Sequence, residues 1–232
     1  MRWSSLLADL FSPRVCAVCG RRLEADEYTL CSYCSWFMPR THFEVDPVNN
    51  TMARLFWGRV KIERAAAFVY FDAGAELCNV IYSLKYNSNK LAGERLGHMM
   101  AANLLESGFF EGIDAIVPVP LSPNRLRQRT YNQSELLSRG IRRVTHLPVY
   151  PNALSRQKFK VSQTHEDRWQ RADNVSNQFV LNEKYKQKLA DKHLLLVDDV
   201  VTTGATASEC GRTLLAIPGA RLSILSWGVA RL

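Results

Sequence analysis

The stretch LLLVDDVVTTGAT, residues 194–206, runs from an apolar segment into two carboxylates and then into a loop of small hydroxyl residues around one glycine. With His193 in front, HLLLV (193–197) is a continuous apolar run, the pattern of a strand buried on both faces of a parallel sheet. GATASECGRTLLAI (204–217) follows as a helix stopped by Pro218 and Gly219. Strand, tight turn and helix in that order predict a crossover unit of an open parallel sheet, where ligands gather beyond the carboxyl ends of the strands. Asp198 and Asp199 stand at such an end.

The loop after the carboxylates leads straight into the helix, so free backbone N–H groups and the positive end of the helix dipole converge on one spot. That is an anion site. Gly204 permits a tight turn and close approach of a ligand, and Thr202, Thr203, Ala205 and Thr206 surround it without bulk. The carboxylates need a different partner, either sugar hydroxyls or a Mg²⁺ ion with its preference for hard oxygen ligands. A sugar phosphate meets both demands. An apolar strand, two acidic residues and TTGAT resemble the 5-phosphoribosyl-1-pyrophosphate (PRPP) signature of type I phosphoribosyltransferases. No G-x-x-x-x-G-K-[ST] or G-x-G-x-x-G pattern competes with it.

Outward from this unit, AAAFVYF (65–71), IDAIVPVP (113–120) and LSILSWGVA (222–230) read as strands. AELCNVIYSLKY places Leu77, Ile81 and Leu84 on one helical face, and LAGERLGHMMAANLLES and YNQSELLSRGIRRV (131–144) predict two further helices. The expected fold class is therefore α/β, an open parallel sheet flanked by helices. SRQKFKVSQTHEDRWQRADN (155–174) is polar without steady periodicity, and inside a compact domain it is either a functional flap or a disordered connector. Residues 1–12 read as a short amphipathic helix, 13–40 as a two-knuckle metal ribbon, and 45–59 as a linker. The aromatic pair Phe56 and Trp57 in that linker serves either an interface or packing against the main domain. The expected division is a module at 1–59 and a sheet domain at 60–232.

IVPVPLSPNRLRQRTYNQSELL, LSRQKFKVSQTHEDRWQRADNV and the twin C-x-x-C module together resemble the ComF/GntX family of competence-associated, phosphoribosyltransferase-like proteins, over nearly the whole chain. The resemblance implies that Asp198 and Asp199 are the catalytic pair on the ribose hydroxyls and that Thr202, Thr203, Gly204, Ala205 and Thr206 grip the 5-phosphate. It implies a loop after DAIVPVP that receives pyrophosphate through Arg125, Arg127 and Arg129, joined by Lys85; arginine suits this because its planar fork pairs with two oxygens. Asn132 and Gln133 hold either that loop or the ligand. Arg156, Lys158, Gln163, Thr164, Arg168 and Asn174 belong to a flap that closes over the reacting centre and excludes water. Mg²⁺ accompanies PRPP, and the phosphoribosyl acceptor is unassigned. The alternative is a non-catalytic PRPP sensor or DNA-uptake adaptor that binds single-stranded DNA or partner proteins. Two departures stand out: Thr130 where relatives commonly carry glycine, and Asn87-Ser88 in the Lys85-Tyr86 motif. Threonine tolerates positive φ poorly, which predicts a pyrophosphate loop of different shape.

Cys16, Cys19, Cys31 and Cys34 form a C-x₂-C-x₁₁-C-x₂-C pattern. Four thiolates make a closed tetrahedral set, as structural zinc requires, and in a reducing compartment metal is favoured over disulfides. Arg14, Arg21 and Arg22 beside it offer contacts to nucleic acid, whereas Cys78 and Cys210 read as core residues. Lys plus Arg exceed Asp plus Glu by 30 to 22, a net charge of +8, which suits an anionic partner. MRWSSLLADL carries Asp9 and too short an apolar run for a secretory segment, and no stretch approaches the roughly 18 apolar residues of a membrane span. A cytoplasmic protein without membrane insertion is expected.

Overall fold

The computed structural model describes residues 14–72, 90–157 and 179–231. Strands β1 (Arg64–Phe71), β2 (Ala115–Pro118), β5 (His193–Val201) and β6 (Arg221–Ala230) form one sheet in the order β1-β6-β5-β2, with every neighbouring pair parallel. β3 (Leu154–Arg156) and β4 (Phe179–Leu181) make a separate antiparallel pair. The helices are α1 (Ser32–Trp36), α2 (Thr51–Arg54), α3 (Lys90–Leu104), α4 (Pro123–Arg129), α5 (Gln133–Thr145), α6 (Glu183–Leu189) and α7 (Ala205–Leu215). None of these is long and apolar enough to cross a membrane.

The core follows from the apolar runs. Leu194 to Val197 of β5 are fully buried, and β6 is buried from Leu222 to Val229. Central strands covered on both faces read as near-continuous apolar runs that do not alternate, and the two serines buried in β6 are hydrogen-bonded: Ser223 Oγ lies 2.8 Å from His193 Nε2, and Ser226 Oγ donates to Gly228 O (2.9 Å). The outer edge of β1 is covered by the chain that leaves the cysteine module: Thr41 N donates to Phe68 O (3.3 Å) and Tyr70 N to Pro39 O (2.9 Å). An open edge would be a template for association, and this segment closes it.

From β1 the chain reaches β2 at the opposite side, and α5 carries it on to Val149, which bridges in parallel to Ile116. It then returns through β5 to β6. Right-handed crossovers place α3 and α5 on one face and α7 on the other. In accord, α5 packs on α3, β2 and β5, whereas α7 packs on β4, β5 and β6. β2 and β5 are thus neighbours whose outgoing connections leave toward opposite faces, and the crevice beyond their carboxyl ends is a topological switch point.

β5 continues past the expected limit at residue 197 to Val201, taking both aspartates into the strand. Aspartate is a poor strand former, but the ladder to β6 runs on through Asp198↔Ser226 and Val201↔Val229 and overrides that preference. The expected strands at β1, β2 and β6 and the helices α3, α5 and α7 are present within a few residues of their predicted limits. The helices expected at 1–12 and across AELCNVIYSLKY lie outside the described residues.

Candidate functional site

Asp198 is buried at the carboxyl end of β5, and Asp199 beside it is half-buried. Asp199 N donates to Asp198 Oδ1 (2.8 Å), as does Ser134 Oγ from the first turn of α5 (3.3 Å). Val200 N donates to Asp199 Oδ1 (2.8 Å). Burial, reinforced by the charge of Asp199, pushes the Asp198 carboxyl up to about 8 from a model-compound value of 3.8. Between those two values the native chain holds a proton that the unfolded chain has released, so stability falls as pH rises through that window. Asp198→Asn is expected to remove this slope. Its stability advantage over wild type should grow by on the order of 2 kcal/mol between pH 4 and pH 8, measured by urea unfolding.

Past Val201 the chain turns through Thr202 and Thr203 to Gly204, whose φ of 75° lies in the left-handed region where glycine is favoured. The N-cap Gly204 has no side chain with which to cap α7, and Ala205 N donates to Thr203 Oγ1 (3.5 Å). The remaining N–H groups of the first turn have no side-chain cap and are left for water or a ligand. A small cavity of about 50 Å³ lies here, lined by Asp198, Val200 and the loop from Val201 to Ala207. That is room for a group of one or two waters' size, such as a phosphoryl head group.

The floor of this cup comes from the segment read as a linker. Phe56 is fully buried, and a Cβ placed on Gly204 would lie 3.2 Å from its Cε1 and 3.3 Å from Leu55 Cβ. Packing against the loop is thus the role of Phe56, while Trp57 is exposed. Arg59 Nη1 donates to Thr203 O (2.7 Å).

Across the crevice, the stretch expected to be a pyrophosphate loop is the short helix α4. Ser122 caps it by accepting from Arg125 N (3.4 Å), and Pro123 occupies its first turn. α4 buries none of its residues. Arg125 and Arg127 are exposed, and Arg129 is tied through Nη1 to Oε1 of buried Gln133 (3.1 Å). Thr130 ends the helix at φ 63°, so threonine here adopts the left-handed turn natural to glycine, at a cost of about 1–2 kcal/mol. The substitution strains this turn without abolishing it. Asn132 holds the loop: its Nδ2 donates to Val119 O (2.9 Å) and its side chain caps α5.

Of the flap residues, Arg156 lies on β3 with its guanidinium 5.3 Å from the Phe179 ring centroid on β4. The β3–β4 pair forms the base from which residues 157–178 depart. Lys158, Gln163, Thr164, Arg168, Asn174 and Lys85 lie outside the described residues, as does Cys78. Cys210 is fully buried on α7, as expected of a core residue.

The four cysteines at 16, 19, 31 and 34 converge, with all Sγ atoms within 4.8 Å of one another. The Cys19–Cys31 sulfur separation is 3.8 Å, the edge length of a tetrahedron with metal–sulfur bonds of about 2.3 Å. Backbone N–H groups of Cys31 and Cys34 donate to the sulfurs of Cys16 (3.3 Å) and Cys31 (3.4 Å), the outer contacts that orient thiolate ligands. The donor set fits a structural divalent metal. A wide cavity of about 770 Å³ lies between this module and the edge of β1, lined by Trp36, Arg40, Glu44 and Phe68 among others, and it includes none of the predicted site residues.

No protein-family profile matches the chain. It is 28% identical over 220 residues to the DNA utilization protein YhgH of Escherichia coli (strain K12), covering 94% of this chain and 90% of that protein. It is 35% identical over 118 residues to Competence protein F of Haemophilus influenzae, spanning 51% of this chain and 50% of that one. Among solved structures, the glutamine phosphoribosylpyrophosphate amidotransferase from B. subtilis overlays with a TM-score of 0.41 at 15% identity, over 61% of this chain and 30% of the longer one. The chain is thus similar along nearly its whole length to a DNA utilization protein and along half of it to a competence protein.

Proposed function

We propose that this chain is a phosphoribosyltransferase-type protein that binds PRPP with Mg²⁺ in the crevice beyond β2 and β5 and transfers the phosphoribosyl group to an acceptor. The observation that carries the reading is the juxtaposition, at a switch point, of buried Asp198 and half-buried Asp199 with a helix start whose glycine N-cap has no side chain. Asp198 and Asp199 accept the ribose hydroxyls, and residues 202–206 hold the 5-phosphate. Arg127, Arg129 and Lys85 receive pyrophosphate, and the segment from Arg156 through Asn174 excludes water. Mg²⁺ bound with the substrate supplies charge neutralisation at the pyrophosphate oxygens. In this reading residues 60–232 carry the transferase domain, residues 1–59 a module held by zinc on Cys16, Cys19, Cys31 and Cys34, and the protein works in the cytoplasm. By likeness to its relatives, the chain takes a role in DNA utilization or competence.

Titration calorimetry with PRPP and Mg²⁺ tests the reading. Wild type is expected to bind, and the Asp198→Ala/Asp199→Ala double variant to bind about 100-fold more weakly, as expected when two carboxyl hydrogen-bond partners are lost. A panel of nucleobases and amines run for pyrophosphate release then identifies the acceptor. No heat with wild type would remove the proposal, whereas binding without release under every acceptor would leave a non-catalytic PRPP sensor.

A further inference from the structure

We propose that Arg59 is a positioning residue of the phosphate cup and the cation that tunes it to doubly charged phosphate groups. The inference rests on the reading of residues 202–206 as a phosphate site and adds a residue 144 positions upstream of Thr203. Arg59 is exposed, and its Nη1 donates to Thr203 O at 2.7 Å. In a planar trans peptide the carbonyl and the following N–H point in opposite directions. A Thr203 carbonyl held by Arg59 therefore turns the Gly204 N–H away from the guanidinium, to the other side of that peptide.

Arg59 is itself anchored to the elements it organises. Its N–H donates to Phe56 O (3.0 Å), and its carbonyl accepts from Arg212 Nη1 of α7 (3.2 Å). Phe56 in turn packs beneath Gly204. One short segment thus grips the loop at Thr203, underlies it at Gly204 and is tied to the helix that follows. Among the described residues no carboxylate pairs with Arg59, so its charge is not neutralised and acts on the cup across the Thr203–Gly204 peptide. Guanidinium stays protonated across the accessible pH range, whereas a phosphate monoester takes its second charge near pH 6. A fixed cation on the cup's own backbone favours the dianion, whereas Asp198, which lines the same cavity and loses its proton only near pH 8, opposes it at the upper end of that range.

The test uses the full chain, its Arg59→Ala and Arg59→Lys variants, and ribose 5-phosphate as the probe, titrated from pH 5.5 to 8. Wild-type affinity is expected to rise through pH 6. Arg59→Ala should bind about 10- to 100-fold more weakly at pH 7.5 with a flattened pH profile, while its ligand-free melting temperature stays within about 2 °C of wild type. Arg59→Lys should keep the rise with pH, because it keeps the charge, yet lose part of the affinity with the planar fork. Wild-type affinity in Arg59→Ala, or weaker binding with an unchanged pH profile in that variant, overturns the proposal alone. If Arg59→Ala does not fold, a wild-type affinity in Arg59→Lys overturns it instead. Wild type that ignores ribose 5-phosphate overturns the phosphate reading and this proposal together.

Discussion

Gly97→Ala is expected to destabilise the protein by about 3 kcal/mol, at the upper end of what overpacking costs. In an isolated helix the same change would stabilise by about 1 kcal/mol, so the sign is decided by what the new methyl group meets. A Cβ on Gly97 of α3 would lie 2.0 Å from Leu137 O of α5, and one on Gly140 of α5 would lie 2.0 Å from Glu94 O of α3. The obstacles are backbone carbonyls, not flexible side-chain tips, so the two helices must separate. Separation reaches the site, because α5 begins with Asn132, which grips Val119 O, and with Ser134, which donates to Asp198. Gly97→Ala should therefore weaken PRPP binding as well as lower the urea midpoint. Gly112→Ala is the control: its φ of 71° is strained for alanine but nothing lies within 4 Å of the added Cβ, so only about 1–2 kcal/mol should be lost, with no loss of binding.

Stripping metal from the cysteine module, or changing Cys31 to serine, is expected to unfold residues 14–38 while the parallel sheet persists. The module buries only a handful of apolar side chains, among them Val18, Leu23, Leu30 and Met38. A segment so small lacks a core of its own, and structural zinc sites contribute about 10–16 kcal/mol in isolated finger peptides. Metal analysis of protein purified without chelator should return about one zinc per chain, falling to none in Cys31→Ser. Limited proteolysis should then cut within residues 14–38 of the variant, and intact protection in a metal-free chain would refute the structural role. Because Pro39 and Thr41 cover the outer edge of β1, loss of the module should also promote association through that edge.

Much of the fold is legible along the chain because its signals are local. HLLLV is apolar at consecutive positions, as a doubly covered strand requires, and Gly204 stands where the left-handed turn into α7 needs it. The C-x₂-C spacing likewise marks the two cysteine knuckles that the fold brings together. α4 carried local signals too, with Ser122 as cap and Pro123 in the first turn, but its run of arginines reads as a ligand loop. The α6 helix also follows a local cap, Asn182, which accepts from Lys184 N.

The sequence by itself determined the four strands of the main sheet, the helices α3, α5 and α7, the acidic pair, the glycine turn and the cysteine quartet, since each depends on residues within about twenty positions of one another. Tertiary structure alone decided that Ser134 reaches Asp198 across 64 positions, that Arg59 reaches Thr203 across 144, and that Gly97 and Gly140 let two helix backbones touch. It also decided how far Asp198 is buried, and hence that its proton is held to about pH 8. Hydrogen bonds, steric contact and desolvation act over a few ångströms of space regardless of separation along the chain, and no periodicity or spacing encodes which distant residues will share that space.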